Sequence, residues 1–172
     1  ENDVRYVWLS TPKQSGGISS GSPIHFVRPL TESFSASKPF LVTEGALKAA
    51  TVQNHYPEFN VIAIGGISSS HSELIKAVRR FPLITAFDND FLNNPQVLRQ
   101  LVRFLRARFS DASNHNYNSN LFVLSWCSDF NGIDEAIINN RKIEIVSFSQ
   151  WISELDLSLK SEFTQLMCYN SN

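Results

Sequence analysis

The chain has 172 residues, 42% of them apolar, enough to bury a full core and of a length that favours one domain. Fifteen Lys and Arg against sixteen Asp and Glu leave a formal net charge of −1, which excludes a globally basic nucleic-acid binder: any polyanion must be met by a local patch or a bound cation. No apolar stretch reaches the length of a membrane span and residues 1–5 are not a basic lead into an apolar run, so a soluble cytoplasmic protein is expected, with Cys127 and Cys168, which lack metal-ligand spacing, as reduced thiols.

In chain order, residues 4–9 predict a strand that runs into residues 11–23, a Pro, Gly and Ser segment that no helix tolerates. Residues 24–28 are a second strand candidate and residues 31–37 a polar linker, so residues 1–37 are expected to form a β-rich amino-terminal arm. From Lys38 the pattern becomes regular. A strand is predicted at 39–43, a helix at 46–53, a strand at 60–64 ending in Gly65-Gly66, a helix over about 72–80 and a strand at 82–87. Residues 95–109 carry the clearest helical period, with Leu98, Leu101, Val102, Leu105 and Phe109 on one face and Pro95 in the first turn. Residues 110–120 are polar, contain four Asn and predict a connection. A strand at 121–126, a short helix at 133–138, an edge strand at 143–146 and a closing helix at 149–159 follow, with 160–172 as a tail. Strands alternating with helices over 38–159 predict an α/β domain with a mainly parallel central sheet of about four strands and helices on both faces.

Two of the predicted strands end in acids. Glu44 follows Phe40-Leu41-Val42-Thr43, and Asp88-Asn89-Asp90 follows Leu83-Ile84-Thr85-Ala86-Phe87. Neighbouring parallel strands would bring these carboxylates to the carboxyl edge of one sheet, where open α/β sheets hold their ligands. Crowded carboxylates repel one another unless a cation lies among them, and oxygen ligands of this kind suit Mg²⁺ or Mn²⁺. Alternation along an extended segment would set Asp88 and Asp90 on one side with Asn89 turned away. The plainer alternatives are a helix-dipole role for Glu44 and a turn at Asp-Asn-Asp. Asp134, in Gly132-Ile133-Asp134-Glu135, is either a further member of the cluster or part of a helix start. Gly65-Gly66-Ile67-Ser68-Ser69-Ser70 lies between strand and helix. It can cradle phosphate on its backbone amides or serve as a flexible turn, and it lacks the lysine of a P-loop. None of the four histidines pairs with another at ligand spacing, so surface or loop positions are expected, with His25, beside the Gly-Ser-Pro loop, the one to watch.

Taken in order, Val42-Thr43-Glu44-Gly45-Ala46-Leu47-Lys48-Ala49, Ile62-Ala63-Ile64-Gly65-Gly66 and Ala86-Phe87-Asp88-Asn89-Asp90 resemble the topoisomerase-primase (TOPRIM) domain. There a Glu-Gly follows the first core strand and an Asp-x-Asp the third. The likeness is greatest to the TOPRIM-like domain of uncharacterised function in bacterial, plasmid and phage replication proteins. Trp8-Leu9-Ser10 and the Gly16-Gly17 to Ile24-His25 segment fit upstream, and Gly132-Ile133-Asp134-Glu135 fits downstream, although Asn131 stands where a basic residue is expected. The match runs from about Trp8 to Ile138.

The resemblance implies a Rossmann-like TOPRIM fold and a Mg²⁺ or Mn²⁺ ion on Asp88 and Asp90. Glu44 is implied in acid–base work or as a further metal contact, with Asp134 as an additional carboxylate. Gly45 would let the backbone turn tightly and approach phosphate. Lys48, one helical turn on, would pair with Glu44 or reach a phosphate, and Gly65 and Gly66 would line the same edge. Arg99, Arg103 and Arg106, spaced by four and three, predict an exposed helix stripe with Arg108 nearby and Arg79 and Arg80 at the end of the preceding helix. Such a stripe is either a solvated face or a track for nucleic-acid phosphates. The expected partners are DNA or RNA, nucleotides, and further primase or helicase domains. The expected activity is Mg²⁺-dependent primase-type nucleotidyl transfer or other phosphodiester chemistry. A metal-dependent nuclease, a non-catalytic nucleic-acid or nucleotide-binding module and a domain for a small phosphorylated ligand remain open beside it. Topoisomerase action would need a tyrosine-bearing cleavage domain for which these residues leave no room.

Overall fold

The structure is a computed structural model and describes residues 23–27 and 38–168. The expected strand at 4–9, the Gly/Ser segment before Pro23 and the linker at 31–37 lie outside the described residues. Of the arm, one two-residue strand is described: β1 (His25–Phe26) runs antiparallel to β3 (Asn60–Ile64). The chain continues through β2 (Phe40–Glu44), α1 (Ala46–His55), β3, α2 (His71–Ala77) and β4 (Leu83–Ala86). A 3₁₀ turn (Asn89–Leu92), α3 (Pro95–Asn114), β5 (Leu121–Trp126) and α4 (Ile133–Ile138) come next, then β6 (Ile143–Ser147), α5 (Phe148–Glu154) and α6 (Leu157–Cys168).

The α/β class stands, but among the described residues the sheet has six strands rather than about four and is mixed, in the order β1-β3-β2-β4-β5-β6. Strands β3, β2, β4 and β5 run parallel, while β1 and β6 add antiparallel edges. The parallel strands are apolar on both faces because both are covered. Phe40, Val42, Ile62, Ile64 and Leu83 pack with α2, α3, α5 and α6, whereas Leu41, Val61, Ala63, Ile84 and Leu124 pack with α1 and α4. Thr43, fully buried between strands, donates its hydroxyl to the Ala86 carbonyl at 2.9 Å. That bond ties the carboxyl ends of β2 and β4 together.

Three boundaries differ from expectation. Helix α2 ends at Ala77, and Arg80 takes φ of 70° in the turn that follows. Helix α3 runs five residues beyond Phe109 to Asn114, through residues expected as a loop. Its start is as expected: Pro95 opens it and the Asn94 side chain caps it by accepting from the N–H groups of Gln96 at 3.0 Å and Val97 at 3.4 Å. The single closing helix is two helices. Asp156, between them, accepts the Leu159 N–H at 2.9 Å and starts α6 afresh, and α6 carries the expected tail to Cys168, with Phe163 buried. No helix among the described residues is long and apolar enough to cross a membrane.

Candidate functional site

From β2 the chain crosses through α1 to β3 on one side, then returns through α2 to β4 on the other. Helices α1 and α3 therefore cover opposite faces, and the loops after β2 and β4 part above the sheet. That crevice is the switch point at which open α/β sheets bind ligands. Glu44 ends β2, and Asp88 stands two residues beyond β4.

Glu44 is held from the side of β3. The Ile67 N–H donates to its carboxylate, and Gly66 approaches so closely that a Cβ there would lie 3.6 Å from Oε2. Gly65, in the same loop, is exposed and faces Ser69 rather than the acids. Gly45 turns the chain from β2 into α1 at φ 77° and ψ 137°, a conformation that L side chains avoid. Its N–H stays on the sheet by donating to Ile64 at 2.9 Å.

The extended Asp88-Asn89-Asp90 segment does not occur. Asp88 is extended (φ −59°, ψ 148°), but Asn89 begins the 3₁₀ turn. The cause is Asn89 itself: its N–H donates to the Asn131 carbonyl at 2.9 Å and its Nδ2 to the Phe130 carbonyl at 3.0 Å, pinning the turn to the β5–α4 loop. Phe91 then drops into the core and Asp90 is left exposed. Asn89 is a positioning residue that the sequence reading treated as a spacer.

Lys48, expected to pair with Glu44 or reach a phosphate, donates instead to Asp88 Oδ1, with Asp134 Oδ1 3.9 Å from the same nitrogen. Asp134 thus joins the cluster through Lys48. Gly132 makes room for the pair: a Cβ there would stand 2.5 Å from Asp134 Oδ1 and 2.9 Å from Lys48 Nζ. Glu135 does not join them; it accepts the N–H groups of Asn131 at 3.2 Å and Gly132 at 3.5 Å at the start of α4.

Burial, then the charges of Asp88 and Asp90, push the Glu44 carboxyl up to about 7, against the Ile67 N–H and Lys48. Partial burial and Asp88 also raise the proton affinity of Asp90. A carboxyl that titrates near neutrality can hold and release a proton under ordinary conditions. It also has a stability consequence. The folded chain holds the Glu44 proton from the ordinary carboxyl value of 4.5 up to about 7, where the unfolded chain has lost it, so this contribution is complete below 4.5 and is lost as pH rises through 7. Without metal, Glu44→Gln is therefore expected to be more stable than the parent at pH 8, by on the order of 1–3 kcal/mol, and to lose that advantage at pH 4. Urea unfolding at the two pH values measures it.

Glu44, Asp88, Asp90 and Asp134 offer only oxygen donors, the type Mg²⁺ takes. Burial first, and then the charges of Asp88 and Asp90, raise the proton affinity of Glu44 despite Lys48, and the all-oxygen donor set fits a divalent cation in kind. It is not gathered into a cage: among the described residues no three His, Cys, Asp or Glu side chains group so as to hold a metal ion. Seating an ion calls for Lys48 to release Asp88.

The expected basic stripe divides. Arg99 and Arg103 are exposed and Arg106 is half-buried on α3, and of the three only Arg103 lines a cleft between α2 and α3. Arg108 is not on the stripe but fully buried. Arg79 is held by Asp111 in a two-pronged ion pair at 3.0 and 2.6 Å and is not free for phosphate. Comparison of the chain with models of known families, with curated proteins and with solved structures returns no match.

Proposed function

We propose that residues 38–159 form a TOPRIM-like domain of a replication-associated protein that carries out Mg²⁺-dependent phosphodiester chemistry, of which primase-type nucleotidyl transfer is the leading form. The observation that carries this reading is the meeting of Glu44, Asp88 and Asp90 at the carboxyl ends of two adjacent parallel strands, close enough to raise the proton affinity of Glu44. Asp88 and Asp90, with Glu44 and Asp134 behind them, would hold the ion. Mg²⁺ bound there supplies charge neutralisation and orientation for a phosphate. Glu44 accepts the proton of the attacking hydroxyl, a 3′-hydroxyl in nucleotidyl transfer or water in a nuclease. Lys48, once off Asp88, turns its charge toward phosphate oxygens, and Gly45 lets the backbone approach them.

Titration calorimetry with Mg²⁺ and Mn²⁺, comparing the parent chain with Asp88→Asn/Asp90→Asn, tests the site. Binding is expected in the parent and not in the double variant. No binding by the parent, with nucleotide or DNA present, would sink the metal-site reading. It would favour a second one, a non-catalytic nucleotide or nucleic-acid module, for which the specific support is Lys48, already in place as the countercharge of Asp88.

A further inference from the structure

A cleft of about 420 Å³ opens between α2 and α3, on the sheet face opposite α1 and α4. One wall carries Ser68, His71, Ser72 and Lys76, and the other carries Arg103. Its floor is apolar, from Ile75 and Ala107. Lys76 and Arg103 are exposed and form no ion pair or side-chain hydrogen bond among the described residues. Two cations left without partners across one concavity, with two hydroxyls beside them, form a positive field open to an anion.

The acid on the wall, Asp111, does not cancel that field. Its carboxylate is engaged by the Arg79 guanidinium, which neutralises it and lowers its proton affinity, and by the Tyr117 hydroxyl at 2.8 Å. His71 uses Nε2 on the Ile67 carbonyl. A carbonyl only accepts, so Nε2 carries the hydrogen and Nδ1 is the ring nitrogen left over, able to accept from a hydrogen phosphate or, protonated, to donate to one. The same bond ties the cleft to the loop whose Ile67 N–H holds Glu44.

We propose that the α2–α3 cleft is a phosphate-binding site, with Lys76 and Arg103 as its two charged arms and Ser68 and Ser72 as its hydroxyl donors. The shared chemistry is a phosphate or diphosphate group, supplied by a free nucleotide or by a nucleic-acid strand. The site needs neither a metal nor catalysis at Glu44, so it stands apart from the acidic centre. Arg is suited to the role because its planar fork matches two phosphate oxygens, while Lys adds a point charge.

The test uses the 172-residue chain without Mg²⁺ and three probes: pyrophosphate, ADP, and a single strand of about twelve nucleotides, within the span single-strand folds cover. Binding of at least one probe is expected. Lys76→Ala/Arg103→Ala is expected to weaken it about tenfold or more, since the two exposed charge-assisted contacts together are worth at least about a factor of ten. Lys142→Ala, one residue before β6, is expected to leave it within about twofold. Preference for ADP over the strand identifies a nucleotide source. Preference for the strand, with a salt slope about 1.4 shallower in the double variant, identifies a nucleic-acid source. Amide NMR on the unsubstituted chain needs no variant: the probe that binds must shift Ser68, Ser72 and Arg103. Absence of binding by all three probes, an unchanged affinity in Lys76→Ala/Arg103→Ala, or shifts confined to the acidic loops would overturn the proposal.

Discussion

Glu44→Gln and Asp88→Asn are each expected to lower Mg²⁺-dependent nucleotidyl transfer by about 10²–10⁴-fold, the range of a positioned acid–base group, while leaving nucleic-acid binding within about threefold. The two variants fail for different reasons. Glutamine at 44 keeps the shape and the Ile67 N–H bond but cannot take up a proton. Asparagine at 88 removes the charge that pairs with Lys48 and helps raise Glu44, so it also lowers the proton affinity of the remaining acid. The pH profile separates these effects. With Glu44 as the base, kcat/KM of the parent rises as pH passes upward through the Glu44 transition, near 7 for the metal-free site and lower once a cation favours the carboxylate. Glu44→Gln flattens that limb, whereas Asp88→Asn shifts it to lower pH. A Glu44→Gln variant with parental kcat and an unaltered profile would remove Glu44 from the chemistry, and absence of turnover by the parent itself would leave the binding-module reading in front.

How far the sequence carries can be judged at particular residues. The four parallel strands are largely apolar runs, three of them (β2, β3 and β4) followed closely by acids or glycines, and both features are local, so their positions and the convergence of Glu44 with Asp88 were legible. The antiparallel edges were less so, because β1 is two residues long and β6 is half exposed: neither carries a strong pattern of its own. The Asp-x-Asp geometry was misread because alternation holds only in extended backbone. The 3₁₀ turn is imposed by bonds from Asn89 to Phe130 and Asn131, some forty residues away, which no local pattern reports. The Lys48–Asp88 pair is likewise a contact between α1 and the loop after β4. Arg108 is a different case, since the signal was present. It stands three residues after Leu105 and seven after Leu101, on the apolar face of α3, and was drawn to the exposed stripe by its charge alone.

Arg108→Ala is expected to be the most destabilising single substitution on α3, with a loss of about 3–5 kcal/mol, the range found when one partner of a buried charged network is removed. The guanidinium is 0% exposed. Nη1 donates to the Tyr117 hydroxyl at 2.9 Å and the Val78 carbonyl at 3.4 Å, and Nη2 to the Phe81 carbonyl at 2.9 Å. Tyr117 passes the link to Asp111, and Asp111 to Arg79. The network thus closes the end of α2 onto the last turns of α3, which is why α3 persists to Asn114 through residues of weak helical propensity. Burial lowers the proton affinity of Arg108, and its Nε has no hydrogen-bond partner among the described residues, so the buried charge carries a desolvation cost of its own. A methionine of similar length separates cost from benefit. If the three acceptors matter most, Arg108→Met loses nearly as much as alanine; if the buried charge is the larger burden, Arg108→Met recovers most of the loss. Urea unfolding midpoints at constant m decide between them. Arg108→Met at or above parental stability would show that the guanidinium fixes how α2 and α3 meet, and with them the walls of the cleft, without stabilising the fold.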